Sequence, residues 1–155
     1  CNYINTLDGI TLGYGQSSIV GGRFNSIITG NTSFIGGGSA NCIVGNSFSG
    51  GVTNSLIVGG TNNIISGDTE NSSIVGGRLN ILSSGINSFI AGGISNSITG
   101  NTSTFIIGSN ITADRNCATF VNNLSIKNLP SSSTGLPSGS LYYCTLSGNT
   151  VFFVP

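Results

Sequence analysis

The sequence predicts an all-β chain, a parallel β-roll or β-solenoid built from coils of about 16 residues. Three observations predict it. One repeat recurs from Ser17, Ser33, Ser55, Ser72, Ser88 and Thr104, at spacings of 16, 22, 17, 16 and 16 residues. Its apolar residues fall in register: Ile19, Ile35, Ile57, Ile74, Ile90 and Ile106 at the third position, and Ile27, Ile43, Ile65, Leu82 and Ile98 at the eleventh. Gly, Ser, Asn and Thr break every apolar run after three or four residues, which suits short strands and tight turns and leaves no room for helices.

Each repeat has two halves, one around Ser-x-Ile-x-Gly-Gly and one around Asn-x-Ile-x-Gly. Each half holds a short strand and a turn. The glycines at the fifth position (Gly21, Gly37, Gly59, Gly76, Gly92, Gly108) and the asparagines at the ninth (Asn25, Asn41, Asn63, Asn80, Asn96) are expected where the backbone needs positive φ to turn a corner. Strand alternation puts the isoleucines on one face, the coil interior.

In chain order, residues 1–16 read as a degenerate lead-in coil. Asn5-Thr6-Leu7-Asp8-Gly9 matches the second half of a repeat, and Ile10-Thr11-Leu12-Gly13-Tyr14-Gly15 the first half. Cys1 replaces an initiating Met and no signal peptide is visible, so a fragment of a longer solenoid protein is expected. Residues 17–119 form the repeat domain. Two of its coils are longer, through residues 46–54 and through Asp68-Thr69-Glu70-Asn71, and insertions in solenoids become loops, often on the binding side. The last coil degrades at residues 112–116, as terminal repeats do. Residues 120–155 make a C-terminal section: a capping strand at 120–126, a linker at 129–137, and a hairpin of 140–146 and 150–154 about a Ser147-Gly148-Asn149 turn. Its Tyr142, Tyr143, Phe152 and Phe153 are expected to cover the end of the rod.

The second face of the first-half strands is also apolar, with Phe34, Leu56, Phe89 and Phe105 at position two and Val20, Val58, Val75 and Ile107 at position four. A strand apolar on both faces is normally covered on both. A thin coil has one interior, so either another chain covers the outer face or a wider coil takes in both rows.

Chemistry is scarce. There is no histidine, four cations balance four anions, and only Asp8, Asp68, Glu70 and Asp114 offer carboxylates. No His-based catalysis, zinc cluster or phosphate loop is predicted, and no basic surface invites nucleic acid or membrane. Asp68 and Glu70 are the one close acidic pair, suited either to Ca²⁺ or a sugar hydroxyl or simply to solvent. Asp114 beside an arginine of a neighbouring chain is an open alternative. Arg23 and Arg78 share a repeat position and line one edge, facing either an acidic glycan or water. Asn31, Asn71, Asn101, Asn110 and Asn123 head Asn-x-Ser/Thr triplets, which arise readily in so Asn- and Ser-rich a chain. Cys1, Cys42, Cys117 and Cys144 lie far apart, as expected of unpaired structural thiols.

The unit Ser72-Ser73-Ile74-Val75-Gly76-Gly77 and its copies over residues 17–111 resemble the head repeats of trimeric autotransporter adhesins. The resemblance implies a β-roll in which three chains pack side by side, with Phe34, Leu56, Phe89 and Phe105 as the trimer seam. The residues Phe120-Val121-Asn122-Asn123-Leu124, followed by Leu136-Pro137-Ser138-Gly139-Ser140-Leu141, resemble the C-terminal ends of phage and large-virus fibre proteins. Together these imply a non-enzymatic homotrimer without cofactor or metal: a virion or cell-surface fibre tip that binds a host-surface glycan or protein. Its expected contacts are Phe48, Asp68, Glu70, Arg23 and Arg78. A bacterial adhesin head is the alternative, with a polysaccharide depolymerase and an ice-binding solenoid behind it.

Overall fold

The computed structural model describes residues 1–5, 16–46, 51–144 and 150–154. Among these residues the chain is all-β, and residues 1–122 form one unit and 123–155 another. The first unit is a parallel β-solenoid of about six coils. Its first-half strands form a seven-stranded sheet: β2 (Ser18–Ile19), β5 (Phe34–Ile35), β8 (Leu56–Ile57), β10 (Ser73–Ile74), β12 (Phe89–Ile90), β14 (Phe105–Ile107) and β15 (Thr119–Val121). The second halves form a six-stranded sheet: β1 (Tyr3–Asn5), β3 (Ser26–Ile28), β6 (Cys42–Gly45), β9 (Ile64–Gly67), β11 (Ile81–Ser83) and β13 (Ser97–Thr99). A short pair, β4 (Gly30–Asn31) with β7 (Val52–Thr53), ties the end of one coil to the end of the long coil that follows it.

The register follows the repeat. Ile74 pairs with Ile57 and Ile90, and Leu82 with Ile65 and Ile98, so identical positions stack coil on coil. From Ile27 to Ile106 the two isoleucine columns are fully buried, and Ile19 and Phe120 pack against them at the ends. Burying each such side chain is worth roughly 1.5–3 kcal/mol.

Between these columns runs a ladder of asparagines. Asn25, Asn41, Asn63, Asn80 and Asn96 are buried although polar. Asn80 shows the pattern: its Nδ2 donates to Gly76 O at 3.0 Å in its own coil and to Gly93 O at 3.1 Å in the next, and its backbone N–H donates to Asn63 Oδ1 at 3.1 Å in the preceding one. Its Oδ1 accepts the backbone N–H of Asn96 at 3.1 Å. A Gln is too long and a Ser too short to close the same ring of bonds. On the opposite corner, hydroxyls form a second ladder: Ser88 N–H donates to Ser72 Oγ at 3.0 Å, and Thr104 N–H to Ser88 Oγ at 3.2 Å.

The ninth-position asparagines are therefore not the positive-φ residues that the sequence suggested. That conformation falls on the residue before each one, Phe24, Ala40, Asn62, Leu79 and Ser95. Among the glycine pairs it falls mainly on the second member, as in Gly77 (φ 83°). A Cβ on Gly77 would run into the Gly93 carbonyl of the next coil, so the pair is fixed by close backbone approach as well as by the turn.

The lead-in is offset from its expected register. Tyr3, Ile4 and Asn5 pair with Ser26, Ile27 and Ile28, so Asn2 rather than Asn5 stands at the ladder position. Asn2 Oδ1 accepts Asn25 N–H at 3.3 Å, and Asn2 Nδ2 donates to Gly21 O at 3.0 Å. The first half expected at 10–15 lies outside the described residues.

The longer coils also differ from simple surface loops. Val52 and Thr69 take the place that Gly30 and Gly85 hold in the shorter coils, and both are fully buried. At Gly85 this corner has no room, since a Cβ there would lie 2.8 Å from Leu82 Cδ2. Extra residues widen the corner and let a side chain turn inward. Glu70 and Asn71 then resume regular positions, with Glu70 bridged to Thr53 and Ile86.

The roll tapers at its C-terminal end. Ile111 stands where the next ladder asparagine belongs, its N–H donating to Asn96 Oδ1 at 3.1 Å, and Ala113 replaces the isoleucine that would follow Ile98. β15 closes the first-half sheet as a capping strand, shorter than the expected 120–126. The Asn122 side chain holds Ser109 by its N–H and its carbonyl. In the second unit, β16 (Leu141–Cys144) and β17 (Thr150–Phe153) form the expected antiparallel hairpin, with Tyr142 stacked on Phe152 at 5.7 Å. Its turn at 147–149 lies outside the described residues.

Replacing Asn80 by Ala leaves the Asn96 N–H and the Gly76 carbonyl without partners, while the Gly93 carbonyl keeps only the Arg78 N–H. A loss of about 3 kcal/mol or more is expected in urea unfolding. Ser73→Ala, on the outward face of the same coil, should stay within about 0.5 kcal/mol.

Candidate association surface and outer edges

Alternation decides which side chains the roll leaves outside. With Ile35, Ile57, Ile74, Ile90 and Ile106 inside, their strand neighbours point away from the core. One outward row of the first-half sheet runs Ser18, Phe34, Leu56, Ser73, Phe89, Phe105 and Thr119. Beside it Val20, Val58, Val75 and Ile107 are 40–73% exposed. The wider coil that would enclose both rows is thereby excluded, because the isoleucine columns alone fill the interior.

The four residues expected at a seam lie together in one row of one sheet. Phe34 and Phe105 are exposed, and Leu56 and Phe89 are half-buried. Phe89 and Phe105 sit on successive coils with ring centres 6.1 Å apart and planes tilted by 44°, within the range of favourable aromatic pairs. Ser73 interrupts the row between Leu56 and Phe89.

Two flanks separate the sheets, and the expected contact residues divide between them. On one flank Arg23, Ser39, Thr61, Arg78 and Ile94 are joined by successive parallel bridges, so the two arginines share an edge as the repeat implied. On the other, Thr53, Glu70, Ile86 and Thr102 form the corresponding row. Asp68 and Glu70 are both exposed, on either side of the buried Thr69. Glu70 belongs to the ladder of this flank rather than to a projecting loop. Phe48 lies outside the described residues. Phe24 and Leu79, each beside a flank arginine, are exposed large apolar side chains whose position in the repeat gave no reason to single them out.

Ionic chemistry on this surface is slight. Asp114 and Arg115 form an exposed ion pair at 2.7 Å. The bond from the Arg115 guanidinium holds the Asp114 carboxyl below its ordinary value, and Asp114 raises Arg115 in turn. The pair is intramolecular, which is where Asp114 finds its arginine. Cys42 sits beside Ser26 at 3.3 Å in the outward row of the second-half sheet, a small side chain in a serine position as expected. Cys1 and Cys117 are exposed thiols. Among the described residues no three His, Cys, Asp or Glu side chains converge as metal ligands do. Among them, too, no helix is long and apolar enough to cross a membrane.

Comparison with protein-family models and with curated proteins finds no match to this chain.

A depressed carboxyl contributes stability above its unfolded pKa and loses it as pH falls through the folded value. Asp114 is fully exposed, so that contribution is screened. With no histidine in the chain, the urea midpoint should stay flat between roughly pH 5 and 8. Asp114→Asn should leave it unmoved.

Proposed function

We propose that this chain is a structural and attachment module without catalytic activity: the homotrimeric β-roll tip of a fibre, displayed on a virion or other extracellular surface. The observation that carries this reading is the outward face of the first-half sheet. Its two rows pair Phe34, Leu56, Phe89 and Phe105 with Val20, Val58, Val75 and Ile107, and most of these side chains are exposed in the single chain. Apolar rows of this kind, interrupted at Ser73, on a sheet already apolar within, fit burial against further copies of the same sheet.

Three chains meeting on these faces would place the phenylalanine rows at a shared axis. The flanks with Arg23, Arg78 and Glu70 would stay available to a host-surface glycan or protein. Threefold display raises avidity for weakly bound surface ligands without any new contact. The repeat alone suits a bacterial adhesin head equally well. The C-terminal unit, a Ser- and Pro-containing linker followed by an antiparallel hairpin, favours the fibre reading.

Light scattering should return three times the 15.6 kDa chain mass. Combined Phe89→Ser and Phe105→Ser should convert the trimer to monomers or insoluble chains. A soluble, folded trimer in that variant would contradict the seam, and a stable wild-type monomer would contradict the fibre-tip proposal.

A further inference from the structure

The first flank repeats one local construction twice. In Gly21-Gly22-Arg23-Phe24-Asn25 and again in Gly76-Gly77-Arg78-Leu79-Asn80, the ladder asparagine donates back to the first glycine carbonyl, at 3.0 Å in both cases. Each five-residue corner is thus clamped by its own last residue. The middle of the clamp presents an arginine and a large apolar side chain to solvent, with Phe24 65% and Leu79 45% exposed. Phe24 and Leu79 are held at φ 56° and 59°, a conformation that bulky side chains rarely adopt. Every corner of this flank takes that φ, but only here do large apolar side chains occupy it, and neither gains burial in exchange.

Between the two clamps the row continues with the hydroxyls of Ser39 and Thr61. Three coil steps separate the arginines, so their backbones lie ~14 Å apart along the stacking direction. The chain has four cations, and Arg115 is committed to Asp114. Arg23 and Arg78 therefore form the sole pair of like charges on one ladder row among the described residues.

We propose that this flank is a binding strip for a linear acidic glycan, sulfated or carboxylated, lying parallel to the stack of coils. The proposal rests on the attachment reading and gives it a ligand class. An extended pyranose chain advances by about one coil rise per ring, so anionic groups three rings apart meet both guanidinia. Each guanidinium offers a planar fork of donors to a sulfate or carboxylate. The Phe24 ring stacks on the apolar face of a sugar next to the first anion, and the Ser39 and Thr61 hydroxyls lie beneath the intervening rings. The buried asparagine ladder makes the strip rigid before the ligand arrives, which lowers the ordering cost of binding.

The test is calorimetric titration of the full chain with a heparin hexasaccharide and with neutral maltohexaose. Heparin should bind and maltohexaose should not, and high salt should weaken the heparin complex. R23Q/R78Q should cost about tenfold or more in affinity while leaving the circular dichroism spectrum unchanged. Phe24→Asn keeps a residue that tolerates this φ, as Asn62 does in the same row, so it should weaken binding severalfold without lowering the unfolding midpoint. Heparin affinity unchanged in R23Q/R78Q, or equal affinity for single-stranded DNA, would overturn the strip. On a glycan array, binding to neutral glycans that R23Q/R78Q does not alter would overturn it yet leave attachment standing. Binding to no glycan at all would overturn the strip and remove glycans from the attachment reading.

Discussion

The buried asparagine ladder is the constraint on which the rest of this roll depends. A coil of 16 residues spends much of its backbone on corners, and corner carbonyls and amides cannot all pair within a sheet. Each ladder asparagine satisfies two glycine carbonyls from adjacent coils and one amide of the following rung. The penalty for a buried polar group applies in full if a rung is missing. That makes asparagine as fixed at this position as isoleucine is in the columns. The glycine pairs follow from the same requirement, because the coils must approach closely enough for one amide to reach both carbonyls.

A second consequence concerns what remains outside. Ladders and isoleucine columns complete the interior with one chain, so the interior makes no demand on the outward positions. Those positions are free to vary, and they divide the surface into an apolar sheet face and two flanks of mixed polarity. Phenylalanine, leucine and valine concentrate on the first-half sheet, whereas the second-half sheet mixes small polar side chains with isoleucines in its outward row, Ser26, Cys42, Ile64, Ile81 and Ser97. The asymmetry points to different neighbours for the two faces. Function in such a roll is written on positions that folding leaves unconstrained.

Much of this was legible in the sequence because a solenoid turns periodicity directly into space. The two isoleucine columns, the outward row of Phe34, Leu56, Phe89 and Phe105 and the shared edge of Arg23 and Arg78 follow from spacing alone. What spacing could not supply was the role of a polar residue facing inward. Asparagine is common at turns, so positions 25, 41, 63, 80 and 96 read as corner residues, although the strained φ sits one residue earlier. The same misreading shifted the lead-in, where Asn5 looked like the rung and Asn2 occupies it. The insertions misled in a different way. Extra length was visible, but not that Val52 and Thr69 would turn inward at the position that Gly30 and Gly85 hold in shorter coils. Phe24 escaped notice because exposure and φ belong to the folded chain.

The ladder can be observed directly by hydrogen exchange of asparagine side-chain amides in an NMR experiment on the folded protein. The Nδ2 protons of Asn41, Asn63 and Asn80 should exchange as slowly as the backbone amides of Ile43, Ile65 and Leu82, through global unfolding alone. The exposed Asn62 and Asn87 provide the fast reference on the same molecule. Exchange of the three ladder amides at that fast rate would mean that the asparagines are solvated, and the account of how the coils are held together would be wrong.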